Sequence, residues 1–138
     1  MSKTKEVIEW FQKAKDDLKI AQAIIHEKAP YWAACFHSQQ GAEKALKAAQ
    51  IYFLKDFQKE HDLEILLNSL DKKIKIESIR QECTKLSGFY VTTRYPGDRE
   101  SVLTVNDAAL ALKMAGKIVN FIDDQINREE PNVRKNTL

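Results

Sequence analysis

Trp32-Ala-Ala-Cys35-Phe-His37-Ser-Gln39-Gln40-Gly41-Ala-Glu43-Lys44-Ala-Leu46-Lys47-Ala-Ala49-Gln-Ile-Tyr52 is the stretch from which the rest of the chain is understood. At helical spacing Trp32, Phe36, Gln39, Glu43, Leu46 and Phe53 fall along one side, with Ala33, Ala42, Ala45 and Ala49 between them. The apolar arc is wide and rich in alanine, which lets neighbouring helices approach closely. It nevertheless carries Gln and Glu where an ordinary core face would carry Leu. A buried polar group without a partner costs about 1–3 kcal/mol, so Gln39, Gln40 and Glu43 are expected to bond to other helices or to belong to a site. Gly41, inside the helix, costs about 0.5–1 kcal/mol relative to Ala and marks a close helix approach, within or between subunits, or room for a ligand.

The neighbours of this helix follow from the same periodicity. Val7, Phe11, Ala14, Leu18, Ala21 and Ile25 predict a first helix from Thr4, its cap, to Glu27, with Lys5, Lys13, Lys15, Asp16 and Lys19 on the solvated face and Trp10 beside the stripe. Pro30 separates it from the central helix, Tyr31 to Lys55, and so short a connection makes the two antiparallel. A short third helix starts at His61-Asp62, with Asp62 as its cap and Leu63, Leu66, Leu67 and Leu70 on its apolar face. A fourth is expected from Ile76 to Ser87, stopped at Gly88. A loop from Phe89 to Thr104 precedes the last helix, Val105 to Arg128, which either Asn106 or Thr104 can cap and which Pro131 ends. The fold class is therefore all-α, an up-and-down helical bundle of about five helices, with residues 1–130 forming a single domain and 131–138 a frayed tail.

Composition bounds what such a bundle does. The 138 residues are 43% hydrophobic and 30% charged, with 4 Gly and 3 Pro, a balance that favours a helix-rich globule. A formal net charge of +2 gives no field strong enough to argue by itself for nucleic acid or a membrane. No run approaches the roughly 18 apolar residues of a membrane span, and the first residues lack a signal-peptide core, so a cytoplasmic location without membrane association is expected. Cys35 and Cys83 are isolated and read as small buried hydrophobes, so no metal site is assigned. A phosphate-binding glycine loop, His-Glu-x-x-His and Gly-x-Ser-x-Gly are all missing, and neither a cofactor nor a catalytic residue is assigned.

Three separated motifs carry a family resemblance: the Trp32 to Ala48 stretch, the His61-Asp62-Leu63 helix start, and the Thr93-Arg94-Tyr95-Pro96-Gly97 loop. Together they resemble the HEPN domain family over nearly the whole chain. The resemblance implies a bundle similar to the C-terminal, substrate-binding helical domain of kanamycin nucleotidyltransferase. It also implies a homodimer and a partnership with a separately encoded minimal nucleotidyltransferase in toxin–antitoxin-like modules. Many members are metal-independent ribonucleases with an Arg followed a few residues later by a His. Here His26, His37 and His61 all precede Arg80, Arg94, Arg99, Arg128 and Arg134, so that site has no residues to carry over.

A candidate binding site is drawn from the central helix and the loop. His37, Gln40, Lys44 and Lys47 lie at steps of three and four residues and share a face. Arg94 and Tyr95 offer a cation for phosphate and a ring for a base, although the loop aromatics could equally fold onto the bundle. The binding residues assigned are His37, Gln40, Lys44, Arg94 and Tyr95, with a nucleotide or RNA as ligand. The reading is a nucleotide-binding interaction protein working with a nucleotidyltransferase. Its alternative is a ribonuclease toxin whose site is built in a non-standard way.

Overall fold

The hydroxyl of Thr4 accepts a hydrogen bond from the Val7 amide at 3.3 Å and starts α1, Lys5–His26, as its place before the first apolar residue requires. In the computed structural model residues 3–28, 30–89 and 102–130 are described. Val7, Phe11, Ala14 and Ala21 of α1 are buried, whereas Leu18 and Ile25 are only partly so. Lys28 takes a left-handed conformation (φ 65°) just before Pro30, which turns the chain back on itself. Helix α2, Tyr31–Leu54, ends on a second left-handed residue, Lys55, whose amide bonds to the Ile51 carbonyl at 3.1 Å.

From Ala34 to Phe53 α2 is buried over most of its circumference. Its first turn departs from the expected face: Trp32 is 51% exposed, and Ala33 and Phe36 are only partly covered. There Ala34 and Cys35 are buried instead, and further along Gln39, Glu43, Leu46 and Phe53 of the expected face are buried together with Ser38, Ala42 and Ala45.

Asp62 caps α3, Leu63–Asn68, by accepting from the Glu64 amide at 2.9 Å. The expected fourth helix is divided into a 3-10 turn, Ile76–Ser78, and α4, Arg80–Ser87. In 3-10 geometry residues three apart eclipse one another, so Ile76 and Ile79 enter the core one above the other before Cys83 and Leu86 continue on a normal helix. Gly88 follows α4 with right-handed dihedrals (φ −60°) instead of the left-handed glycine stop. The last helix, α5, runs Val105–Glu129, and Thr104, not Asn106, caps it through a reciprocal pair with Asp107. Among the described residues there are five α-helices, one 3-10 turn and no strand.

Contacts fix the direction of each helix. Residues 10, 17 and 14 of α1 meet 47, 44 and 41 of α2, so the two are antiparallel. Lys3 donates to Asn127, setting α5 antiparallel to α1. Asp107 acts on Cys35 and Glu130 on Tyr52, so α5 runs alongside α2 in the same sense, with α3 and α4 as the crossover. Burial first, and then the Asp107 charge, push the Cys35 thiol up to about 12, and burial with the Glu82 charge does the same to Cys83. Both cysteines are free and inert, as small core residues should be.

On α5, Met114 and Ile118 belong to the core, whereas Leu110 is 51% exposed and Phe121 partly buried. Gly41 likewise serves the α1–α2 contact within the chain. Most of the 89–104 loop, including Arg94 and Tyr95, and the 131–138 tail with Pro131 lie outside the described residues.

Candidate functional site

The close approach at Gly41 brings an acid of α1 onto the polar face of α2. Asp17 follows Ala14 and precedes Ala21 on the buried side of α1, and its side chain is only 7% exposed. One oxygen lies 2.9 Å from Nδ1 of His37, and the other accepts from Nζ of Lys44 at 2.6 Å. His37 and Lys44 sit seven residues apart, two helical turns, and the single carboxylate bridges them. Nε2 of His37 has no hydrogen bond among the described residues, and the side chain is 28% exposed. Asp17 therefore holds the imidazole by one nitrogen and leaves the other without a hydrogen bond among the described residues.

A second network lies further along α2. Glu43 binds Nζ of Lys47 at 2.9 Å and Nδ1 of His61 at 3.1 and 3.2 Å, while Gln39 donates to the His61 carbonyl at 3.2 Å. Gln40 donates to Oε1 of Gln39 at 2.8 Å and, at 3.5 Å, to Glu43. The Lys47 ammonium stands 6.0 Å from the Trp10 ring centroid and 5.9 Å from that of Phe57, and these two rings are 5.3 Å apart. Two aromatic faces and a carboxylate thus compensate a cation that has been taken out of water. A third network is built on the buried Gln50, which pins the chain after α2: it donates to Gln58 and Ser69, each at 2.8 Å, and accepts from the Gln58 amide at 3.0 Å.

Of the residues assigned from sequence, His37 and Lys44 come together, through Asp17. Gln40 belongs to the Glu43 network, and Lys47, placed on the same strip by spacing, is buried there as well. The spacing argument put 44 and 47 on one face, but Glu43, four residues before Lys47, draws that ammonium inward. Asp17 is the residue that sequence reasoning missed. Asp17 lies three residues after Ala14 and four before Ala21, but the apolar spacing gives that place on the stripe to its neighbour Leu18. An anion approaching Lys44 must compete with a carboxylate already in contact, which weakens the strip as a phosphate clamp.

An antiparallel helix pair held by buried acid–base networks, with a third long helix packed alongside it, defines an all-helical bundle. The chain belongs to the HEPN domain family, whose model matches residues 7–125. TT1696 from Thermus thermophilus is 27% identical and superposes with a TM-score of 0.79, over 88% of this chain and 99% of that one. ST0689, an archaeal HEPN homologue, is 30% identical with a TM-score of 0.73, over 89% of this chain and 99% of its own. No curated protein sequence matches the chain. No helix among the described residues is long and apolar enough to cross a membrane.

Proposed function

We propose that the chain is a nucleotide-binding, non-nucleolytic HEPN protein that acts as a cytoplasmic homodimer beside a separately encoded minimal nucleotidyltransferase, in a toxin–antitoxin-like module. One observation carries this reading: every histidine precedes every arginine, so the arginine-before-histidine ribonuclease arrangement has no residues to occupy it. The burial of Glu43, Lys47 and Asp17 supports it further, because these groups stabilise the helix hairpin. Trp32, Val102, Val105 and Leu110 are exposed and supply apolar surface for a two-fold pair. The test is co-expression with a minimal nucleotidyltransferase of the same genome. Co-elution of the two chains supports the reading, and independent elution of two folded proteins removes the partnership.

A second reading has its own observation. His37, oriented by Asp17 with Nε2 unbonded and Lys44 adjacent, has the parts of a general base with a neighbouring cation. In RNA cleavage Nε2 would take the proton of a 2′-hydroxyl while Lys44 stabilised charge on phosphorus. Loss of RNA cleavage in His37→Ala would establish this alternative.

A further inference from the structure

Between α3 and the 3-10 turn the chain reads Asp71-Lys72-Lys73-Ile74-Lys75, and the core sets its register. Leu70, Ile74 and Ile76 are buried, and the amides of Lys73 and Ile74 both bond to the Leu70 carbonyl, at 2.9 and 3.1 Å. The three lysines are therefore held outward by a hydrogen-bonded turn. They line a cleft of about 530 Å³ together with Phe121 and Arg128 from the last turns of α5.

None of these four cationic side chains has an ion-pair or hydrogen-bond partner among the described residues. Glu77, two residues beyond Lys75, is engaged by Arg80, whose Nε donates to it at 2.8 Å. Asp71 and Asp124 also line the cleft, leaving four cations against two carboxylates. Unpaired cations of one sign around a concave wall raise the local concentration of anions. The volume suits a ligand of nucleotide size, and Phe121, partly buried and therefore fixed, provides a ring on which a base can stack.

We infer that this cleft binds consecutive phosphates attached to a nucleobase, as presented by a nucleoside polyphosphate or by a single RNA strand. No residue of α1 or α2 contributes to it, so it stands whether or not the Asp17 network takes part in function.

The experiment uses the intact chain and a fluorescein-labelled oligouridine of about twelve nucleotides, a length within the reach of one small binding surface. ATP and inorganic tripolyphosphate serve as competitors. Replacing Lys72, Lys73, Lys75 and Arg128 together by Ala should weaken binding by about tenfold or more and take roughly 2–3 units from the slope of log affinity against log salt. The triple variant Lys72→Arg, Lys73→Arg, Lys75→Arg keeps the charge and should keep the binding. Replacing the exposed Lys13, Lys15 and Lys19 of α1 by Ala should leave affinity unchanged. Displacement by ATP identifies the nucleotide as ligand; oligouridine binding that ATP does not displace identifies the strand. If the quadruple variant loses its helical circular dichroism, Arg128→Glu alone gives the same comparison. Unchanged affinity in the cleft variants, equal loss in the α1 variant, or no binding of any probe by the wild-type chain overturns the inference.

Discussion

A β-carbon on Gly41 would lie 3.1 Å from the carbonyl oxygen of Ala14, so α1 and α2 meet there backbone against side of helix. The same carbon would stand 3.0 Å from a methyl of Leu18 and 3.4 Å from Cβ of Asp17. A leucine methyl can move aside, but a carbonyl within a helix cannot easily do so. Gly41→Ala is therefore expected to lose about 1 kcal/mol, because the overpacking cost exceeds the helix-propensity gain. Gly116, in the interior of α5, has nothing within 4 Å of the corresponding β-carbon, and Gly116→Ala should gain about 0.5–1 kcal/mol. Denaturant melts of the two variants check the opposite signs.

Asp17 is expected to contribute to stability as well as to geometry. Asp17→Asn removes the charge that pairs with Lys44 and one of the two acceptor oxygens that bridge Lys44 and His37. Both partners reach solvent in part, so the loss should be about 1–3 kcal/mol, without unfolding. A chemical melt measures it, and the His37 ring resonances in NMR should shift at the same time. A variant as stable as wild type with an unmoved imidazole would show that the bridge is dispensable.

Glu43 should matter more. Its side chain is 5% exposed and that of its partner Lys47 is 7% exposed, so Glu43→Gln strands a cation between Trp10 and Phe57. The expected cost is about 3–5 kcal/mol, typical of breaking a buried pair from one side. Adding Lys47→Met should recover a good part of it, since the stranded charge is then gone. A double-mutant cycle provides the check, and strictly additive losses would contradict the coupling.

The helices were legible because their apolar residues recur at helical spacing and their ends carry local signals: Thr4, Asp62 and Thr104 each cap where the residue type suggests. The site was harder to read. His37 and Lys44 were visible as polar residues on one face, but the carboxylate between them comes from another helix, and pairwise contacts across helices leave no periodic trace. Trp32 misled because a large aromatic in a first turn looks like core, although it is 51% exposed among the described residues. The splitting of the fourth helix at Ile79 escaped notice because Ile76, Ile79 and Cys83 also fit continuous α spacing.

Stability should fall in alkali. Burial, with the nearby charges of Asp107 and Glu82, pushes the Cys35 and Cys83 thiols from 9.0 up to about 12. Burial and the Glu130 charge likewise raise the Tyr52 hydroxyl from 10.0 to about 12. These groups keep their protons in the folded chain while the unfolded chain loses them, so the unfolded state gains between about pH 9 and pH 12. The stabilisation is complete below pH 9 and disappears through about pH 12. Melting temperatures across that range should decline, and both thiols should resist a thiol reagent at pH 8 until denaturant is added. Rapid labelling of the native protein would show that the cysteines are accessible.

The most direct test of the functional account incubates purified protein with end-labelled single-stranded RNA and chelator, reading anisotropy and a denaturing gel from the same samples. The RNA should be bound, in a salt-sensitive way, and recovered at full length. RNA bound and cut by the wild-type chain, but left whole by His37→Ala, would contradict the non-nucleolytic reading and give the site at Asp17, His37 and Lys44 to a ribonuclease.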